Sequence, residues 1–183
     1  MSLHNVRSAP GGSPAGTPSG TATTVQGVGY VGTSTVTRAA NQTPYTANDV
    51  VGGALTIATV GPSSGNIIIT GARIMFNITA LPAAMTTFSL YLYNVTPPSA
   101  IADNSPFTMG SGDRASFLGR ISGLSSYLIG TGTSSVYAEL ENINYQFKMG
   151  ATTSLFAYLV TDGAYTPAAN SETYTITVPS LLV

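Results

Sequence analysis

Residues 80–107, ALPAAMTTFSLYLYNVTPPSAIADNSPF, decide the fold. Within them Phe88-Ser89-Leu90-Tyr91-Leu92-Tyr93 alternates with the two-residue side-chain period of a β-strand. Phe88, Leu90 and Leu92 therefore share one face, and Ser89, Tyr91 and Tyr93 the other. The aliphatic face is a core face. The tyrosine face carries apolar rings with hydroxyl tips, which suits packing that keeps polar ends satisfied. Asn94-Val95-Thr96-Pro97-Pro98 stops the strand, because proline donates no ladder hydrogen bond and biases the residue before it toward extended geometry. Residues 99–107 then read as a polar, proline-broken excursion rather than a second hairpin strand. A heavy central strand feeding a long ordered crossing loop is the pattern of a β-sandwich.

The flanking sequence reads the same way. Residues 50–59 and 66–79 are strand candidates separated by Gly61-Pro62-Ser63-Ser64-Gly65. In the second, period-two counting puts Ile68, Ile74, Phe76 and Ile78 on one face and Ile67, Ile69, Arg73 and Asn77 on the other, with Gly71 as a candidate bulge. Further strands are expected at 116–121, 126–129, 134–140, 155–160 and 173–178. Any helix is short, and 99–104 is the best candidate for a single turn. Short strands separated by turn signals predict an all-β, antiparallel β-sandwich, jelly-roll-like, over residues 33–183.

Residues 1–32 are a different material. Up to about Thr24 they are Gly, Ser, Pro, Thr and Ala with almost no large apolar side chain, so they are expected to be a flexible arm that only a partner would order. Arg7, Val25, Val28 and Tyr30 are its candidate contact residues. The sequence Gly27-Val28-Gly29-Tyr30-Val31-Gly32 matches a dinucleotide-binding fingerprint, with Asp49 near the place of a ribose-binding acid. The context is wrong: no buried strand precedes the glycines, and the β-branched run Thr33–Thr37 follows them instead of a helix.

Composition narrows the function classes. The chain has 183 residues and no Cys, so it holds neither a disulfide framework nor a thiol nucleophile. Only 7% of residues are charged and the formal net charge is −1, against roughly 25% charged in an ordinary soluble domain. Self-repulsion is weak, which suits a subunit packed beside copies of itself. The six basic residues are scattered singly, so direct nucleic-acid binding is not expected. No apolar run reaches the ~18 residues of a membrane span, and no apolar core of a secretory signal is visible at the start. The three glycosylation sequons at Asn41, Asn77 and Asn94 read as chance in a Thr-rich chain.

No catalytic, cofactor or metal site is expected. His4, the single histidine, lies in the arm, where nothing fixes it as a base or ligand. Glu139 and Glu141 point the same way in a strand and read as the wet face of an edge strand, with Ala138 and Leu140 toward the core. Asp103, Asp113 and Asp162 sit in probable turns, where Asp accepts local backbone hydrogen bonds. The outward Tyr91 and Tyr93 are the better lead: they fit either burial under a neighbouring loop or a subunit contact.

Several segments look familiar together. Thr37-Arg38-Ala39-Ala40-Asn41-Gln42-Thr43-Pro44-Tyr45-Thr46-Ala47-Asn48-Asp49-Val50-Val51-Gly52 resembles a motif of small structural proteins of tailed bacteriophages. So do Leu90-Tyr91-Leu92-Tyr93-Asn94 followed by Pro97-Pro98-Ser99-Ala100-Ile101-Ala102-Asp103-Asn104, then Phe117-Leu118-Gly119, and Asp162-Gly163-Ala164-Tyr165-Thr166-Pro167 leading to Glu172. The resemblance implies a capsid decoration, or cement, protein on the virion surface, assembled in the host cytoplasm. Its implied partners are the major capsid protein and copies of itself, as a trimer. A tail, neck or fibre-associated subunit is the alternative within the same virion. A carbohydrate-binding sandwich with Tyr30, Tyr45, Tyr91 or Tyr93 as stacking platforms is a third reading.

Overall fold

A computed structural model describes residues 28–183. Eight strands follow one another: β1 (Gly29–Thr37), β2 (Val50–Ile57), β3 (Asn66–Phe76), β4 (Thr87–Tyr93), β5 (Phe117–Leu128), β6 (Val136–Lys148), β7 (Leu155–Thr161) and β8 (Thr173–Leu182). All pairings are antiparallel, in the order β1-β8-β3-β6-β5-β4-β7-β2. This is the strand order of a jelly roll, two four-stranded halves wound by Greek-key crossings. The halves β1-β8-β3-β6 and β5-β4-β7-β2 join where the end of β5 pairs with the start of β6, Ser125–Leu128 against Val136–Glu139. On the other side a single bridge between Thr33 and Ala58 nearly closes the barrel.

The core fills the space between the halves. Phe88, Leu90 and Leu92 of β4 point into it, as the alternation requires, with Leu155, Ala157 and Leu159 of β7 and Tyr174, Ile176 and Val178 of β8. β7 is buried on both faces, which is why it reads as an unbroken apolar run. Its second face, with Tyr93, belongs to a separate apolar cluster roofed by Ile101 and Phe107 from the loop 94–116. That loop runs along the outer face of β5-β4-β7-β2 and is held at both ends. Asn94 N–H donates to the Ser116 carbonyl at 3.0 Å, and Phe107 N–H to the Asn48 carbonyl at 2.7 Å. The expected crossing loop is therefore present. Its helical turn is a 3-10 turn at Ser111–Asp113, not the expected one at 99–104. There Asp113 accepts from the Ser99 N–H at 3.1 Å.

Three sequence expectations need correction. Ile67 and Ile69 are fully buried beside Ile74 and Phe76, while Ile68 lies half-buried on the outer face with Met75 and exposed Arg73. Gly71 explains the swap. Between the pairs Ile69–Ser180 and Arg73–Thr177, β3 advances four residues and β8 three, and this one-residue bulge inverts the faces beyond it. Second, 116–121 and 126–129 are parts of one strand, β5, which leaves β4 and joins β6 around Gly123 at φ 85. Third, β1 begins at Gly29, so Gly29–Gly32, assigned to the arm from sequence, pair with β8 from Leu181 to Val178. The inward Gly32 lets Ile57 approach; a Cβ there would lie 3.0 Å from the Ile57 methyl.

Candidate functional site

Three of the four segments that resemble phage proteins meet in one place. Arg38 leaves β1, Asp103 belongs to the loop 94–116, and Glu172 precedes β8; sequence places them far apart, and the jelly-roll crossings bring them together. Arg38 is 3% exposed and Glu172 6%. The Arg38 Nε donates to the Tyr45 hydroxyl, which donates to Asp103 Oδ1 at 2.6 Å. The guanidinium lies 4.7 Å from the centre of the Tyr45 ring, 4.0 Å from Asp103 Oδ2 and 3.8 Å from Glu172 Oε2. Asp103 Oδ1 also accepts the Gly52 N–H at 2.8 Å, and Glu172 Oε1 the Ala169 N–H at 2.8 Å. Tyr165 stacks on Tyr45 with ring centres 5.0 Å apart. Gly52, at φ 80, is tucked against Tyr174 and Val36, where no side chain fits.

The electrostatics are those of a clamp. Burial pulls the Arg38 pKa down, and the Tyr45 hydrogen bond, with the neighbouring phenols and Asp103, more than offsets it, leaving the value raised. Burial, aided by the hydrogen bond to Asp103, raises the Tyr45 phenol well above its ordinary value. Tyr165 and Tyr174 are raised chiefly by burial as well. The knot ties the loops 38–49, 94–116 and 162–172 to one another. Sequence reading missed Arg38 and Glu172 as partners, although two charged residues inside resemblance segments of so weakly charged a chain were the available signal.

Of the aspartates expected in turns, only Asp113 holds a near neighbour, the Ser116 N–H, through its own carbonyl. The carboxylates act over longer range: Asp103 in the knot, Asp113 on Ser99, and Asp162 on the Ser89 hydroxyl at 2.8 Å. They therefore end in three separate places. Among the described residues no three His, Asp or Glu side chains come together as metal ligands would. Glu139 and Glu141 do sit on an outer face with Ala138 and Leu140 inward, but β6 lies between β3 and β5 and is not an edge strand.

Tyr93 corrects the expected subunit contact. It is 0% exposed, boxed by Phe117 and Tyr158 at ring distances of 5.5 and 6.0 Å, so it has no surface to offer a partner. Its hydroxyl has no hydrogen-bond partner among the described residues, and burial raises its pKa. Tyr91 is half-buried, packs 4.1 Å from the Phe107 ring centre, and lies beside exposed Arg120. We expect Tyr93→Phe to leave stability unchanged or raise it by up to ~1 kcal/mol, since it deletes an unpaired buried hydroxyl. Tyr93→Ser should lower it by about 3–5 kcal/mol through the cavity left by the ring. Urea titration of both variants checks this; a Phe variant weakened as much as the Ser variant would contradict it.

Val28 is 50% exposed and Tyr30 half-buried in β1. Arg7, Val25 and His4 lie outside the described residues. As stacking platforms Tyr45 and Tyr93 offer no face, at 1% and 0% exposed. No helix among the described residues is long and apolar enough to cross a membrane.

No family model matches the chain, and no curated protein matches it. Among solved structures, one described as the cyanophage Pam1 capsid asymmetric unit aligns with 98% of this chain and 100% of its own, at 12% identity and a TM-score of 0.35. At that TM-score the likeness fixes neither fold nor role.

Proposed function

We propose that this chain is a non-enzymatic structural protein of a tailed-phage virion, bound to the outside of the capsid and stabilising the shell. Its partners are the major capsid protein and copies of itself. The observation that carries this reading is the convergence of three of the four resemblance segments on Arg38, Tyr45, Asp103 and Glu172. Segments that separately look like phage proteins are joined parts of one framework, so their likeness is not a set of scattered matches. The low charge supports a protein that lives in an array. Jelly rolls serve viral capsid domains, lectins and cupins alike, an analogy of fold that assigns no role by itself. The non-enzymatic part rests on the sequence, with no Cys and its single His in the arm.

Quantitative mass spectrometry of purified particles, with imaging of the same particles, tests the proposal. The chain should occur in a multiple of the capsomer number and sit on the outer shell. A few copies at one vertex would assign it to the neck or tail. Absence from the particle would end the virion reading.

A further inference from the structure

The two outer faces of the jelly roll differ. The face of β5-β4-β7-β2 is roofed by the loop 94–116, whereas no segment among the described residues lies over β1-β8-β3-β6. Exposed apolar side chains collect at its margins, with Val31 at 60% and Leu181 at 42% on one side and Tyr127 at 37% and Ile129 at 58% on the other. Between the margins is a depression of about 250 Å³, lined by Val31, Gly71, Arg73, Glu141, Thr177 and Pro179.

The charges in this depression are arranged unusually for a chain with so few. Glu141 stands opposite Gly71 in the β3–β6 ladder, so no side chain faces it. Arg73 stands opposite Glu139, whose carboxylate already accepts the Tyr127 hydroxyl at 2.5 Å. Both ion pairs among the described residues belong to Arg38, and neither includes Arg73 or Glu141. One patch thus presents an unpaired cation, an unpaired anion and a gap beside the anion. Such a patch is complementary to itself, which is the signature of a twofold contact.

We propose that this face is where two copies of the chain meet, about a twofold axis lying along the depression. β3 of one copy then lies over β3 of the other. Arg73 enters the gap at Gly71 and reaches Glu141 of the partner subunit, and the same contact is made in reverse. The Val31 margin of one copy meets the Val31 margin of the other, and the Tyr127 margins meet likewise. A trimer, by contrast, would need two different patches in contact. The inference concerns the chain alone and stands apart from the virion reading.

Sedimentation of the full chain over a range of concentrations should give a species of twice the 18.7 kDa chain mass. Arg73→Glu and Glu141→Arg should each raise its dissociation constant on the order of tenfold or more, and the two combined should restore it. Gly71→Gln should abolish it while the β-sheet circular dichroism persists, because a Cβ at Gly71 meets only the Leu140 carbonyl and Pro179 at 3.4 Å, ordinary contact. A monomer at every concentration, a trimer, or a dimer indifferent to these substitutions would overturn the proposal.

Discussion

Arg38→Met should lower the stability of the domain by about 3–5 kcal/mol, the loss that follows when one member of a buried ion cluster is removed. The side chain would still fit, so the effect is electrostatic. Asp103 would keep the Tyr45 hydroxyl and the Gly52 N–H, and Glu172 the Ala169 N–H, but both carboxylates would face the interior without their cation. Arg38→Lys should recover little, because a single ammonium cannot at once donate to the Tyr45 hydroxyl, approach its ring and stand between Asp103 and Glu172 as the forked guanidinium does. Adding Asp103→Asn and Glu172→Gln to the Met variant should recover part of the loss by removing the stranded charges. Urea midpoints at unchanged slope would measure all of these. A loss below ~1 kcal/mol for Arg38→Met would mean that the knot holds nothing together.

The second large effect is alkaline unfolding. Tyr45, Tyr93, Tyr165 and Tyr174 are each 4% exposed or less, and burial raises the pKa of every one in the folded chain. A raised folded value means that the unfolded chain releases these protons first, near the ordinary tyrosine value of ~10. The stabilisation is therefore complete below that pH and is lost as pH climbs above it toward the folded values. Each tyrosine contributes about 1.4 kcal/mol per pH unit, and the four together roughly 5–6. Domains of this size are stable by only ~5–15 kcal/mol. Unfolding should thus be complete within about three pH units above 10. Circular dichroism and tyrosinate absorbance, recorded together, should change in one steep step. Smooth phenol ionisation with the β-signal intact would contradict the burial of these rings.

How much of this was legible in the sequence depends on where the information lay. Alternation located β4 and β8, because the side-chain period is a local property, and β7, buried on both faces, was located as an unbroken apolar run. β3 misled, since Gly71 marked the bulge but counting continued through it, and a single extra residue exchanged Ile68 for Ile67 and Ile69. The second half of β6, Glu141–Lys148, was missed although Ile143, Tyr145 and Phe147 alternate with Asn144, Gln146 and Lys148 in the two-residue period of a strand. Charge marks Arg38 and Glu172 as residues to watch, but it does not show their meeting in the knot. Arg38, Asp103 and Glu172 meet only after β-strands from both halves have crossed, and nothing local in Asp103 distinguishes a turn aspartate from one that holds an arginine. The burial of Tyr93 had the same cause: its cover comes from a loop that had first to fold back.

The position of β8 has a consequence for how the protein is made. It lies between β1 and β3 and supplies the whole ladder of β1 apart from the Thr33–Ala58 bridge. As the ribosome lengthens the chain, β1 emerges first and waits through every later strand for a neighbour that is synthesised last among them. During that interval β1 and the facing edge of β3 are open templates, and β1 has no charged residue to repel another nascent chain. On crowded polysomes, neighbouring chains are held close together while this edge is open. The jelly roll thus places its greatest risk of misassembly before folding is finished, in the stretch of synthesis between Thr37 and Thr173.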